Sequence, residues 1–118
     1  MARILVVDDQ ESIRRMLESD GHEVRMASDG QLGLDAYRLD PVDLILMDLV
    51  MPHKTGVDMI IELKKEFPNV KILAVSGGGG ITGEIDYLPF AQLVGAVDVL
   101  HKPFGLKELR AAVNHALS

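Results

Sequence analysis

Cysteine is missing from this chain altogether, and its absence excludes disulfide scaffolds, thiolate metal sites and thiol nucleophiles. Basic residues are also scarce: 12 Lys and Arg face 18 Asp and Glu, a formal net charge of −6. Grip on a phosphate backbone needs clustered Lys and Arg, so no nucleic-acid partner is expected. No apolar run approaches the roughly 20 residues of a membrane span, and the first residues do not follow a signal-peptide pattern. No membrane partner and a cytoplasmic location are therefore expected. No repeat or low-complexity tract appears apart from the glycines at 77 to 80. What remains is an acidic chain of 118 residues, long enough to bury most of its apolar surface in one core without staples. Residues 1–118 are expected to form a single domain.

Short apolar runs alternate with helix-length amphipathic segments. Arg3 to Val7, Leu44 to Met47 and Lys71 to Val75 are nearly continuous hydrophobic runs bounded by polar residues. That composition suits strands covered on both faces, as in a parallel sheet. Glu23 to Ala27 and Val97 to Leu100 are weaker strand candidates. Between them, Gly56 to Lys65 places Val57, Ile60 and Ile61 on one helical face, and Thr55 with Asp58 has the form of a capping box. Leu106 to Leu117 repeats Leu106, Leu109, Val113 and Leu117 at helical spacing. Gln31 to Leu39 follows Ser28 and Asp29, residues suited to cap a helix. Five strands alternating with five helices predict an α/β, doubly wound domain. Right-handed crossovers bring every strand-to-helix turn to one edge of the sheet, and ligands of such sheets bind beyond that edge.

The residues expected at that edge are chemically pointed. Strand 1 ends in Asp8-Asp9, strand 3 in Asp48, strand 4 in Ser76, and strand 5 runs into His101-Lys102-Pro103. A carboxylate on a run as apolar as Leu44 to Met47 is costly unless compensated. Three carboxylates crowded together repel one another unless a cation intervenes. A hard divalent ion with oxygen ligands supplies that compensation, and Mg²⁺ suits a site that also uses waters and a phosphoryl oxygen. The absence of His and Cys ligands argues against zinc. With Lys102 as a fixed positive charge and Ser76 as a hydroxyl donor, the pocket suits a phosphoryl group.

Taken in order, these elements resemble the receiver domain of two-component response regulators, and the resemblance covers essentially the whole chain. It rests on Asp8-Asp9 after ILVV, Asp48 followed by Met51-Pro52 and Gly56, Ser76-Gly77 after ILAV, and Lys102-Pro103-Phe104 after the fifth strand. The resemblance implies a flavodoxin-like (βα)5 fold with a five-stranded parallel sheet in the order 2-1-3-4-5. It implies Asp48 as phosphoacceptor, with Asp8, Asp9, Asp48 and the backbone carbonyl of Val50 holding Mg²⁺. Ser76 and Lys102 would contact phosphoryl oxygens, Gly77 would offer a backbone N–H, and the Lys102–Pro103 peptide would be cis. The implied donor is a phosphohistidine on a sensor histidine kinase or histidine phosphotransfer protein, with a downstream partner that the sequence does not identify. Such a domain is not an enzyme in the usual sense; it assists its own phosphorylation and dephosphorylation and changes conformation near helix 4. A stand-alone receiver without an output domain is expected.

The chain departs from the family pattern in three places. Receivers usually carry Tyr or Phe three residues before the lysine, and here that position is Val99. Val99 is short and stiff at χ1, so the response to phosphorylation is expected in Ser76 and the Gly77 to Tyr87 segment more than in strand 5. The stretch from Asp9 to Gly21 is about one turn shorter than the family's first helix. The stretch from Ser76 to Lys102 is longer by a similar amount.

Other readings of the same residues fit less well. A haloacid dehalogenase-type phosphatase also uses a strand-end Asp with Mg²⁺, but it needs a second Asp two residues on, where Val50 stands. A receiver-like module that never becomes phosphorylated is supported only by Val99. A flavin-binding domain would set Asp8 and Asp9 against the cofactor's phosphate. The Gly77 to Gly80 run is not a P-loop, since no Gly-Lys-Ser/Thr follows. His53 and His101 lie near the site and read as solvated loop residues.

Overall fold

The computed structural model describes residues 2–8, 10–49, 56–76 and 88–118. Five strands, β1 (Arg3–Val7), β2 (Glu23–Ala27), β3 (Leu44–Asp48), β4 (Ile72–Ser76) and β5 (Asp98–His101), alternate with five helices. These are α1 (Glu11–Ser19), α2 (Gly30–Leu39), α3 (Gly56–Glu66), α4 (Leu88–Val94) and α5 (Leu106–Leu117). The strands form one parallel sheet in the order β2-β1-β3-β4-β5, as the resemblance implied.

Strand alternation divides the core into two layers. Leu5, Val7, Ile45, Met47, Ile72 and Ala74 point to one face, where α2, α3 and α4 cover them with Leu34, Tyr37, Met59, Ile60, Leu63 and Ala91. Ile4, Val6, Leu44, Leu46, Leu73 and Val75 point to the other, beneath Ile13 and Leu17 of α1 and Leu109 and Val113 of α5. Each fully buried aliphatic side chain contributes about 1.5–3 kcal/mol. This explains the near-continuous apolar runs of β1, β3 and β4: both faces are covered. β2 and β5, the weaker strand candidates, are the two edges of the sheet.

Two helical faces differ from the expected ones. In α3, Met59, Ile60 and Leu63 are buried, whereas Ile61 is 37% exposed. In α5 the buried stripe is Leu109, Ala112, Val113 and Ala116, and Leu106 lies at the surface. In α3, Met59 and Leu63 share the sheet-facing side with Ile60, which turns Ile61 outward, and in α5, Ala112 and Ala116 complete the stripe while Leu106 sits in the exposed first turn. β4 and β5 each run one residue later than expected, which carries Ser76 and His101 onto the strands themselves. His101 is thus an exposed strand end rather than a loop residue.

Helix ends follow local chemistry. The Asp29 carboxylate accepts the Leu32 N–H at 2.9 Å and starts α2 at Gly30. Glu108 reaches back to the Gly105 N–H at 2.9 Å to start α5. The short α1 of nine residues agrees with the missing turn read from the sequence. The Thr55 cap lies outside the described residues.

Candidate functional site

Four of the five strand ends deliver one group each to the carboxyl edge of the sheet. Asp8 follows β1, Asp48 ends β3, Ser76 ends β4 and Lys102 follows β5. All three of Asp8, Asp48 and Ser76 are buried, with 2%, 9% and 0% exposure. Backbone bonds fix their heights along the edge. The Asp8 N–H donates to Ala27 O at 3.0 Å, the Leu49 N–H to Val75 O at 2.9 Å, and the Lys102 N–H to Ser76 O at 2.9 Å. The Lys102–Pro103 peptide is cis.

The side chains converge on one amine. Lys102 Nζ donates to Asp8 Oδ2 at 3.1 Å and to Asp48 Oδ2 at 3.5 Å. The other Asp8 oxygen, Oδ1, accepts the backbone N–H of Gln10 at 3.1 Å. One cation thus bridges two carboxylates drawn from strands β1 and β3, in a setting largely removed from water. Charge at such a place is costly even when paired. The paired acids carry more negative charge than one lysine neutralises.

Gly56 explains part of this geometry. A Cβ on Gly56 would lie 2.5 Å from Asp48 O and 2.7 Å from Leu49 Cα. The Gly56 N–H also donates to Leu49 O at 3.0 Å. The start of α3 therefore rests directly on the backbone that carries Asp48, an approach that only a residue without a side chain permits. Gln10 is a contribution that sequence reading missed, because its backbone N–H acts on Asp8 and any non-proline residue would supply that group. Beside Lys102, a cavity of about 460 Å³ opens between α1 and the β5–α5 turn, lined by Gln10, Ile13, Met16, Pro103 and Phe104 among others.

Asp9, Val50 and Gly77 lie outside the described residues, as does His53. Of the expected metal ligands, Asp8 and Asp48 are therefore the two whose placement is described. Their chemistry fits a hard cation: anionic oxygens, buried, already attracting a positive charge, with no nitrogen or sulfur donor between them. Val99 packs, half-buried, against the core layer under α4, beside Ala74 on β4. The Gly77 to Tyr87 segment, where the conformational response is expected, lies outside the described residues.

Comparison with known proteins places this arrangement. The chain matches the family described as the response regulator receiver domain over residues 4–114. It is 37% identical to a probable transcriptional regulator, ycf27, of Cyanophora paradoxa, over 98% of this chain and 48% of that protein. It is 34% identical to the response regulator MprA of Mycolicibacterium vanbaalenii, over 98% of this chain and 50% of the relative. The chain spans about half the length of the curated relatives it matches. Among solved structures it is similar to a response regulator receiver domain protein of Clostridium thermocellum, with a TM-score of 0.86 at 32% identity, covering 99% of this chain and 94% of the other. A CheY-like receiver domain protein of Methanospirillum hungatei gives a TM-score of 0.86 at 26% identity over 99% of this chain and 94% of its own. Fold and relatives agree, and the chain belongs to the response regulator receiver domain family of two-component signalling.

Proposed function

We propose that Asp48 is the residue on which this receiver domain accepts its phosphoryl group, and that residues 1–118 act as one such unit. The observation that carries the assignment is the Lys102 ammonium held between buried Asp8 and Asp48 at the carboxyl edge of the sheet. A phosphohistidine on a sensor kinase or phosphotransfer protein is the donor. An Asp48 oxygen bonds to phosphorus while the P–N bond breaks, and the bonding electron pair stays on the imidazole nitrogen.

Catalysis here is chiefly positioning and charge neutralisation, since phosphoryl transfer through a loose transition state needs little covalent help. A strand end holds Asp48 rigidly, and the Gly56 contact fixes the backbone behind it. Lys102 neutralises charge on the transferred oxygens, and the Ser76 hydroxyl donates to one of them once the aspartyl phosphate forms. Asp8, Asp9, Asp48 and the Val50 carbonyl would hold Mg²⁺, which would supply the remaining charge neutralisation. The Gly77 N–H would offer the transferred oxygens a further donor. The domain is a phosphoacceptor that assists its own phosphorylation and hydrolysis, not a turnover enzyme. No helix among the described residues is long and apolar enough to cross a membrane.

Intact mass after incubation with acetyl phosphate and Mg²⁺ tests the assignment. One added phosphoryl group is expected, prevented by EDTA and abolished in Asp48→Asn. Undiminished incorporation in Asp48→Asn would remove Asp48 from its role. With beryllofluoride and Mg²⁺, the Ser76 amide should shift more than those of Val99 and Leu100, because Val99 has no large side chain to reorient. An equal response along β5 would count against that uncoupling.

A further inference from the structure

The two edges of the sheet are finished differently. At β5 the Asp98 carboxylate turns back onto the Val99 N–H at 2.8 Å and also pairs with His115 of α5. That carboxylate places negative charge along the strand, one of the devices that discourages another strand from pairing there. β2 carries no such turned-back carboxylate. Its Glu23 N–H donates to Ala2 O, and Ala27 O accepts the Asp8 N–H. In a parallel ladder, residues that bond inward alternate with residues that face outward. Glu23, Arg25 and Ala27 therefore bond to β1, and the N–H and C=O groups of Val24 and Met26 point away from the sheet.

Apolar side chains flank this open edge. Half-buried Val24 and Met26 lie on the α1 side. On the other side, α2 presents Leu32, Ala36 and Leu39 at i, i+4 and i+7, one helical face. Leu32 is 51% and Leu39 88% exposed. Leu32 and Ala36 join Met26 and Ala27, with the polar Asp8, Glu11 and Ser28, in lining an open groove of about 560 Å³ at the carboxyl end of this edge. An exposed strand edge between apolar walls is a template for another strand.

We propose that the β2 edge is a self-association surface, at which a second copy of this chain adds its β2 antiparallel to the first, about a two-fold axis through Val24. Charge selects this register. The outward residues Val24 and Met26 allow three two-fold pairings, centred on Val24, Arg25 or Met26. Centring on Arg25 sets that arginine against Arg25 of the partner subunit. Centring on Met26 leaves Arg25 opposite an alanine. Glu23 and Arg25 each hold an exposed partner in their own chain, Arg3 and Asp40. Centring on Val24 adds a second, placing Glu23 opposite Arg25 of the partner subunit, and Arg25 opposite Glu23 of the partner subunit. These fall at non-hydrogen-bonded positions, where side chains approach most closely. Val24 then exchanges both backbone bonds with Val24 of the partner subunit, and each Met26 N–H meets the His22 carbonyl across the axis. The two five-stranded sheets become one continuous sheet, and the exposed leucines of α2 lie on the same side of both halves.

The test exploits the absence of cysteine. In a hydrogen-bonded antiparallel pair the Cα atoms are about 5.5 Å apart, inside the roughly 4.4–6.8 Å that a disulfide spans. Val24→Cys under mild oxidation should form a covalent dimer, whereas Leu93→Cys, an exposed position on α4, should not. Sedimentation of the unmodified chain should show a concentration-dependent dimer. Arg25→Glu should weaken that dimer by about tenfold or more, because two attractive pairs become repulsive, whereas Asp40→Asn, which removes only the partner of Arg25 within its own chain, should leave it intact. Thermal melts of each variant establish that it is folded, and the Val24→Cys result does not depend on the charge variants. A monomer mass at every concentration would overturn the proposal and leave the edge to a strand from a different protein. Cross-linking at Leu93→Cys equal to or faster than at Val24→Cys would overturn it as well.

Discussion

Acidic and basic side chains meet in two kinds of place in this protein, and the better geometry is at the surface. Arg38 grips Glu66 through Nε and Nη2 at 2.6 and 2.8 Å, joining α2 to α3. Arg110 grips Asp20 in the same two-pronged way at 2.9 and 2.7 Å, joining α5 to the end of α1. Asp40 is held by Arg3 and by Arg25. At the carboxyl edge, by contrast, one amine is shared between two carboxylates at 3.1 and 3.5 Å. Yet Lys102 is only 19% exposed and the Asp8 side chain not at all, against 44% and 39% for Arg38 and Glu66. Burial makes each charge costly, so the costlier site has the looser pairing. A fold optimised only for its own stability would reverse that. On the proposed function, the buried cluster is arranged for an additional cation and an incoming anion, whereas the surface pairs join elements.

The sharpest way to break this contrast is to remove the shared amine. Lys102→Met leaves Asp8 and Asp48 without the cation between them. It should destabilise the metal-free protein by about 2–4 kcal/mol, read from urea unfolding at neutral pH. Millimolar Mg²⁺ should recover much of that loss, since a cation that binds only the folded state stabilises it. A loss that Mg²⁺ does not repair would mean that the carboxylates do not form a cation site.

Removing a carboxylate should act in the opposite direction. Asp48→Asn relieves the repulsion from Asp8 while keeping the shape, so the metal-free variant should be more stable by about 1 kcal/mol. The gain should vanish in Mg²⁺, which stabilises the parent and not the variant. Gly56→Ala probes the same spot from behind. Its Cβ would collide with the backbone at Asp48 and Leu49, and overpacking of that kind costs about 1–3 kcal/mol. Phosphorylation by acetyl phosphate should slow as well, because Asp48 moves. Normal stability with normal phosphorylation would show that α3 does not position the site.

Much of this was legible from residue order alone, for a physical reason. A carboxylate that ends a run of buried aliphatics has few structural explanations, so Asp8, Asp48 and Lys102 stood out by their neighbours. β1, β3 and β4 were legible because strands covered on both faces must be apolar throughout. Helix faces were harder. Ile60 and Ile61 are adjacent and equally apolar, and only packing against the sheet decides that Ile60 goes in and Ile61 out. Leu106 fitted the α5 periodicity but lies in the first turn, at the surface. The ion pairs between elements were not legible at all. Asp20 and Arg110 are 90 positions apart, and nothing local relates them. The outward groups of β2 likewise follow from register, which requires the sheet.

The surface pairs supply the smallest and most specific test. The Arg110 guanidinium holds the Asp20 carboxyl below its ordinary range, chiefly by hydrogen bonding. Arg3 does the same for Asp40, with Arg25 assisting, and Arg38 for Glu66. A carboxyl depressed in the folded state adds stability above its unfolded pKa of about 3.9, and that stability is lost as the pH falls through the lower folded value. Arg110→Ala should therefore melt slightly below the parent at neutral pH, by a small fraction of the Lys102→Met effect, because exposed pairs are screened by water and salt. The difference should hold from neutral pH down to the ordinary carboxylate range and disappear at more acid pH, where Asp20 is protonated in both proteins. It should also shrink in high salt, whereas the Lys102→Met defect, being buried, should persist. Melting curves of the two variants across pH and salt separate the two kinds of charge. A Lys102→Met defect as salt-sensitive as that of Arg110→Ala would erase the distinction.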